Sequence, residues 1–204
     1  MRVRGFPWAR FHFVRLTSRS TGPLAGGAYA PSARGRLAWF VRPHPVLQFR
    51  ALTNGDQDKL WHWLHVALWD PPPAGLRPIE VLQVPGVRIY AENWGRPSDV
   101  GVVAQVGGAD AGACWLRLLP VGIGLGSVDA ETPQLGIALE PQYQHKGYGR
   151  PLMLEALQAA RGAGYRQVSL TVHPENPAQY MYERCGFRKV DLRSNYHLMV
   201  ANVA

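Results

Sequence analysis

The stretch Gln144-His145-Lys146-Gly147-Tyr148-Gly149-Arg150 carries the most legible chemistry in this 204-residue chain. It stands between an apolar run that ends at Glu140-Pro141 and a segment, 149–163, in which Leu152, Ala156 and Ala159/Ala160 recur at helical spacing. A helix start of this kind presents N–H groups with no intrahelical partner and about half a positive charge. Gly147 and Gly149 let an anion approach the backbone with no Cβ in the way. Lys146 and Arg150 add mobile positive charge. The combination suits a phosphate or pyrophosphate. An ordinary glycine-containing helix start has the same appearance, so the loop alone leaves both readings open.

The elements that must position this loop follow from periodicity and breakers. A strand is predicted over Val46–Leu52, with turn and N-cap chemistry in Thr53-Asn54-Gly55-Asp56. Leu60, Leu64 and Leu68 line one face of a helix that Asp70-Pro71-Pro72-Pro73 ends. A second, shorter helix is predicted over about Val87–Asn93. Strands are predicted at Val100–Val106, Ala113–Leu119 and Leu135–Leu139, then a helix over 149–163 stopped by Gly164. A strand at Val168–Val172, a helix over about Pro177–Arg184 and a strand at Asn195–Val203 complete the chain. The order βααβββαβαβ predicts an α/β fold with a mixed sheet.

Composition narrows the class. Hydrophobic residues make up 47% and charged residues 18%, as in globular proteins. No run reaches the roughly 18 apolar residues of a membrane span. Two cysteines, Cys114 and Cys185, cannot build a disulfide framework and offer no C-x-x-C metal site, so a reducing, cytoplasmic compartment is expected. The net charge of +8 is carried entirely by residues 1–45, which hold eight arginines and no acid; 46–204 is neutral, with 14 basic and 14 acidic residues. The segment 1–45 reads as a basic, disordered N-terminal extension, with a transit peptide and a nucleic-acid-binding arm as the other readings. Residues 46–204 read as the functional domain.

Residues 134–187 resemble the GCN5-related N-acetyltransferases (GNAT). The family signature Arg/Gln-x-x-Gly-x-Gly/Ala is matched by Gln144, Gly147 and Gly149, and a second block by Asn176-Pro177-Ala178, Tyr182-Glu183-Arg184 and Gly186-Phe187. The resemblance implies helices on both faces of the sheet and a splay between the fourth and fifth strands. It implies acetyl-CoA as co-substrate, its pyrophosphate held by Gln144, His145, Lys146, Gly147, Tyr148, Gly149 and Arg150. By the same resemblance Ala138 and Leu139 would pair with the pantetheine amides, Asn176 would contact the pantetheine, and Tyr182 would face the leaving sulfur as general acid. Acetyl transfer to a primary amine through a ternary complex is then expected. The acceptor is a small molecule or a peptide amine, with no metal, no membrane and no nucleic acid required, and the protein a monomer or homodimer.

The general base stays unassigned. Gln134 stands where the family often has an acid, and Glu131, Glu140 and His173 are weak candidates. Gly122–Gly126 precedes a strand and reads as a hairpin loop, not a dinucleotide fingerprint. His62 and His65 lack a third ligand nearby, Tyr180 reads as packing, and one of Trp61, Trp63 and Trp69 is a candidate for touching the acceptor. The alternatives to an enzyme are a non-catalytic acyl-CoA-binding module, which Gln134 would suit, and a nucleic-acid binder acting through the arm.

Overall fold

Alternation along two central strands sorts the core into two layers. On β3 (Ala109–Arg117), Cys114 and Leu116 pack to one side of the sheet while Ala113 and Trp115 pack to the other. The computed structural model describes residues 45–204. The extension expected over 1–45 lies outside the described residues, Pro45 apart.

The chain runs β1 (Leu47–Ala51), α1 (Gln57–Ala67), a one-turn α2 (Pro85–Arg88), β2 (Val100–Val106), β3, β4 (Gln134–Leu139), α3 (Gly149–Gly162), β5 (Gln167–Val172), α4 (Ala178–Arg184), β6 (Arg188–Arg193) and β7 (Tyr196–Asn202). These strands form one mixed sheet in the order β1-β2-β3-β4-β5-β7-β6. One core cluster joins α3 and α4 to the sheet through Leu152, Met153, Ala156, Tyr182 and Phe187. A second joins α1 and the α2 region to the opposite face through Leu60, Trp63, Leu64, Trp94 and Trp115. Helices therefore cover both faces, as expected. Each fully buried Leu or Met here contributes roughly 1.5–3 kcal/mol.

The parallel pair β4·β5 is registered at a single position, Gln134 with Ser169. Beyond it the two strands share no ladder, which is the expected splay. Every other neighbouring pair is antiparallel and joined over five or more positions.

Four elements differ from expectation. Strand β3 runs Ala109–Arg117 and not Ala113–Leu119, because the turn before it is only Gly107-Gly108. Helix α1 ends at Ala67, before Leu68 and the proline run. Helix α2 opens at Pro85, a residue suited to the first helical position, and is one turn long; residues 89–93 continue as turns. Strand β6 is an addition: an edge strand paired only with β7, with Val190 and Leu192 exposed, joined by a tight turn in which Ser194 and Asn195 have φ 47 and 68.

Buried ionic groups hold the α2 region against the sheet. Arg117 is fully buried and bonds both oxygens of Asp99, at 2.9 and 2.6 Å, and the carbonyls of Ile89 and Glu92. Its guanidinium also lies 5.2 Å from the Trp94 ring centroid. A second network, at the sheet's β1 end, joins Arg50, Asp56, Asp110 and Lys59. The Arg50 guanidinium, with the Thr53 N–H and hydroxyl, holds Asp56 down from 3.8 to about 2. Against the cost of burial, hydrogen bonds from Arg50, Lys59 and Gln105 likewise hold Asp110 below the usual carboxylate range.

Because the folded-state pKa of Asp56 is depressed, its stabilisation is complete above about pH 4 and lost as pH falls towards 2. Asp56→Asn should flatten the loss of stability between pH 4 and 2. It should also cost about 1–2 kcal/mol at neutral pH, allowing for the part-exposed Arg50. Denaturant titrations of both proteins across that range check this; equal slopes would contradict it.

Candidate active site

The loop 144–150 leaves the end of β4 through a single 3-10 turn, Pro141–Tyr143, and delivers the chain to α3. Gln144 anchors its start by donating from Nε2 to the Leu139 carbonyl at 2.8 Å. His145 and Gly147 take left-handed conformations, φ 57 and 87, separated by one residue. The backbone N–H groups of His145 to Arg150 donate to no described residue. Helix α3 has no side-chain cap and no acid in its first turn. Unpartnered successive amides next to residues of positive φ suit a concavity for an anion, and the start of α3 follows directly.

The two glycines do different work. A Cβ on Gly147 would meet nothing within 4 Å, so this position faces open space and needs glycine for its positive φ. A Cβ on Gly149 would lie 3.2 Å from the Met181 sulfur, so this glycine lets α3 and α4 pack closely. The side chains of His145, Lys146 and Arg150 are exposed at the loop, and Tyr148 packs edge-on to Tyr143, 6.2 Å between ring centroids.

The β4–β5 splay opens into a cavity of about 570 Å³, to whose wall the loop 144–150 contributes no residue. Its walls come from the end of α1 (Leu64, Ala67) and the two residues after it (Leu68, Trp69), the α2 region (Val87, Tyr90), loop 122–126, the start of β4 and the end of β5. Trp69, His173 and Tyr196 form an aromatic wall, with centroid separations of 5.8 and 5.6 Å. Of the three tryptophans considered from the sequence, Trp69 alone lines the cavity. Trp63 donates instead to Glu140 Oε1 at 3.0 Å, and Trp61 packs against the α1-side core.

The ladder decides which β4 groups reach the splay. Glu140 donates its N–H to the Ala111 carbonyl on β3, and Ser169 on β5 donates to the Pro133 carbonyl. By antiparallel alternation the Ala138 backbone turns towards β3, while those of Ile137 and Leu139 turn towards β5.

Asn176 lines the cavity and accepts the Ala178 N–H on its Oδ1 at 2.9 Å, which braces the start of α4. Tyr182 does not line the cavity. Its ring is buried on the α3/α4 face, 6.1 Å from the Phe187 centroid, in the cluster that holds Leu135 of β4 and Leu170 and Val172 of β5. It therefore packs from the α3/α4 side onto the β4 and β5 residues on either side of the splay. Its hydroxyl has no hydrogen-bond partner among the described residues. Burial, and next the neighbouring thiols of Cys114 and Cys185, pushes its pKa well above the ordinary 10.

The base candidates separate. Glu140 is held by Trp63 and by His62 Nε2 at 3.0 Å, and Glu131 is exposed on the β3–β4 loop, away from the cavity. His62 and His65 have different partners, Glu140 and the Arg77 carbonyl. No group of three potential metal ligands gathers among the described residues. Gln134 is buried, accepts the Tyr90 hydroxyl at 2.6 Å and donates to the Ile123 carbonyl at 2.6 Å. A Cβ on Gly124 or Gly126 would lie 2.5 or 2.8 Å from its Oε1, so the glycine loop exists to wrap this side chain. Nothing local in the sequence marks Tyr90, Trp115 or this wrap as part of a site, because each depends on contacts between distant segments.

A family model described as "Acetyltransferase (GNAT) family" matches residues 61–187. The chain belongs to the GNAT acetyltransferase family. Its ribosomal protein bS18-alanine N-acetyltransferase relative from Haemophilus influenzae is 34% identical over 67 residues, covering 33% of this chain and 46% of the relative. The mycothiol acetyltransferase of Beutenbergia cavernae is 32% identical over 179 residues, covering 84% of this chain and 56% of the relative. The chain thus spans about half the length of the curated relatives it matches. The fold is shared with the PaiA N-acetyltransferase of Thermoplasma acidophilum in complex with coenzyme A: TM-score 0.52, 18% identity, 77% of this chain and 99% of that one. No helix among the described residues of this GNAT chain is long and apolar enough to cross a membrane.

Proposed function

We propose that this chain transfers an acetyl group from acetyl-CoA to a primary amine by direct attack within a ternary complex. The observation that carries the reading is the loop of six unpartnered amides at the foot of α3, next to a splay that opens into a cavity. The amides of 145–150, with Lys146 and Arg150, hold the pyrophosphate. Gln144 fixes the loop, and Gly147 leaves room for the phosphates. Leu139 and Ile137 present backbone groups to the pantetheine as an added strand would; Ala138, expected in that role, supports it from the β3 side. Asn176 positions the thioester end. The paired mobile charges and open amides suit the co-substrate's phosphates, and the two free, buried cysteines suit a reducing cytoplasm.

In the reaction the neutral amine forms a C–N bond to the thioester carbonyl, and the β4 N–H groups stabilise the oxyanion. The C–S bond then breaks. The departing thiolate takes a proton from the Tyr182 hydroxyl, on the α3/α4 side of the splay, the amine gives its proton to solvent, and the phenolate regains one from solvent before the next turnover. No acyl-enzyme forms, so Cys114 and Cys185 remain bystanders.

Thiol release from acetyl-CoA by the full chain, measured with and without a panel of amino acids, peptides, amino sugars and polyamines, tests this. Acceptor-dependent release with one acetyl gained by the amine is expected. Tight acetyl-CoA binding without release for any amine would replace the reading with the acyl-CoA-binding module that Gln134 would suit.

A further inference from the structure

A glycine-rich loop makes a poor wall unless something holds it, because each glycine frees the backbone. Loop 122–126 nonetheless lines the cavity with Gly122, Gly124, Leu125 and Gly126. Two local bonds bend it, from the Ile123 N–H to the Pro120 carbonyl at 3.0 Å and from the Ser127 N–H to the Gly124 carbonyl at 3.3 Å. Neither ties it to the sheet.

The ties are side chains from three strands, and each takes a carbonyl. Gln134 of β4 donates to Ile123 at 2.6 Å, and Ser169 of β5 donates to Gly126 at 2.7 Å. Arg193 of β6 donates from Nη1 to Leu125 at 3.1 Å and also to Ser127. With Gly124 taken by Ser127, every carbonyl from 123 to 127 is held. Gln134 and Ser169 are also the registered pair between β4 and β5, so the loop is gripped where the splay begins. Arg193 pairs with Tyr196 across the β6–β7 turn, and Tyr196 lines the cavity. One hairpin end thus sends a guanidinium to the loop and a phenol into the site.

Resting on the transferase reading, we infer that Arg193 and Ser169 are positioning residues for the acceptor amine. They fix the 123–127 wall before the amine arrives, and neither lines the cavity itself. A wall held in advance spares the acceptor the cost of ordering it. Acetyl-CoA is indifferent to this clamp, because the pyrophosphate loop leaves the other end of β4. The clamp also explains an amide at position 134. Gln134 must accept from Tyr90 and donate to Ile123 at once, and a carboxylate has no proton to donate.

Arg193→Met keeps an unbranched apolar stem and removes the donors; Ser169→Ala removes the hydroxyl. Steady-state kinetics of the full chain with the best amine of the acceptor panel should show KM for the amine raised about tenfold in the first and about threefold in the second. Arg193→Lys, which keeps a donor for one carbonyl, should recover part of the loss. Saturating kcat and acetyl-CoA affinity should stay near wild type. A purely structural role would lower the melting temperature and the active fraction, and hence kcat, and leave the amine KM unmoved. Hydrogen exchange over 121–128 supplies a readout free of turnover: faster in Arg193→Met and Ser169→Ala, with 144–150 unchanged. An unmoved amine KM or unmoved exchange in both variants overturns the inference and leaves the transferase reading in place. Should no amine be acetylated, that reading fails, and calorimetry of the same amines on the CoA-loaded chain carries the comparison. Weaker amine binding in the variants then keeps the clamp; equal binding, or none by any chain, refutes it.

Discussion

Replacing Gly147 by glutamate should weaken acetyl-CoA binding by about 10²–10³-fold while the chain stays folded. Gly147 sits at φ 87 and a Cβ there meets no protein atom within 4 Å, so the substitution's cost to the fold is the local backbone strain. What it meets is the ligand. A carboxylate placed about 4 Å from a phosphate at the effective dielectric of a protein surface is repelled by roughly 4 kcal/mol, and partial solvation leaves 3–4 of that, which is the stated fold-change. Gly147→Ala supplies the control: it carries the strain without the charge and should cost about tenfold or less. Calorimetric titration of both variants, with thermal melts to confirm folding, decides the matter. A folded Gly147→Glu chain that binds acetyl-CoA like wild type would remove the loop from the binding site.

Loss of the Tyr182 hydroxyl should have the second large effect. The ring packs on Phe187 within the α3/α4-side core, and the hydroxyl has no partner among the described residues, so Tyr182→Phe preserves the packing and strands no donor. Stability should change little. General acid help is worth about 10²–10⁴-fold, and kcat should fall by the lower part of that range because solvent can also supply a proton. The deficit should shrink as pH falls. Burial raises the phenol's pKa above 10, so the group stays protonated across the working range and the wild-type rate should show no decline below pH 10 that traces to it. Acetyl-CoA affinity should remain near wild type. Wild-type turnover in Tyr182→Phe, measured where chemistry limits the rate, would leave Tyr182 as a packing residue.

The loop and the Tyr182 block are visible in the chain as local patterns, the second through the family resemblance, and their proposed roles are what the two variants test. Two glycines at a helix start, and a tyrosine six residues after Asn176 and four before Gly186, are visible without any long-range contact. The acceptor side was less legible. Glu140 has the composition of a base, yet Trp63 and His62, 77 and 78 residues away, tie it to α1. The glycine loop 122–126 reads as a hairpin connection, but its role is set by a Gln134 side chain that it must enclose. Trp115 looks like any apolar residue on a strand until Gly136 is placed beneath it. Strand β6 escaped because its Arg-Lys-Val-Asp-Leu-Arg pattern is that of an exposed edge, with one neighbour and no buried face.

Direct transfer across the β4–β5 splay is tested most directly by initial velocities with acetyl-CoA and the best amine of the acceptor panel both varied. Lines that intersect in the double-reciprocal plot are predicted, since both substrates must be bound before the C–N bond forms. Parallel lines, the pattern of an acetylated enzyme that releases CoA before the amine arrives, would contradict it.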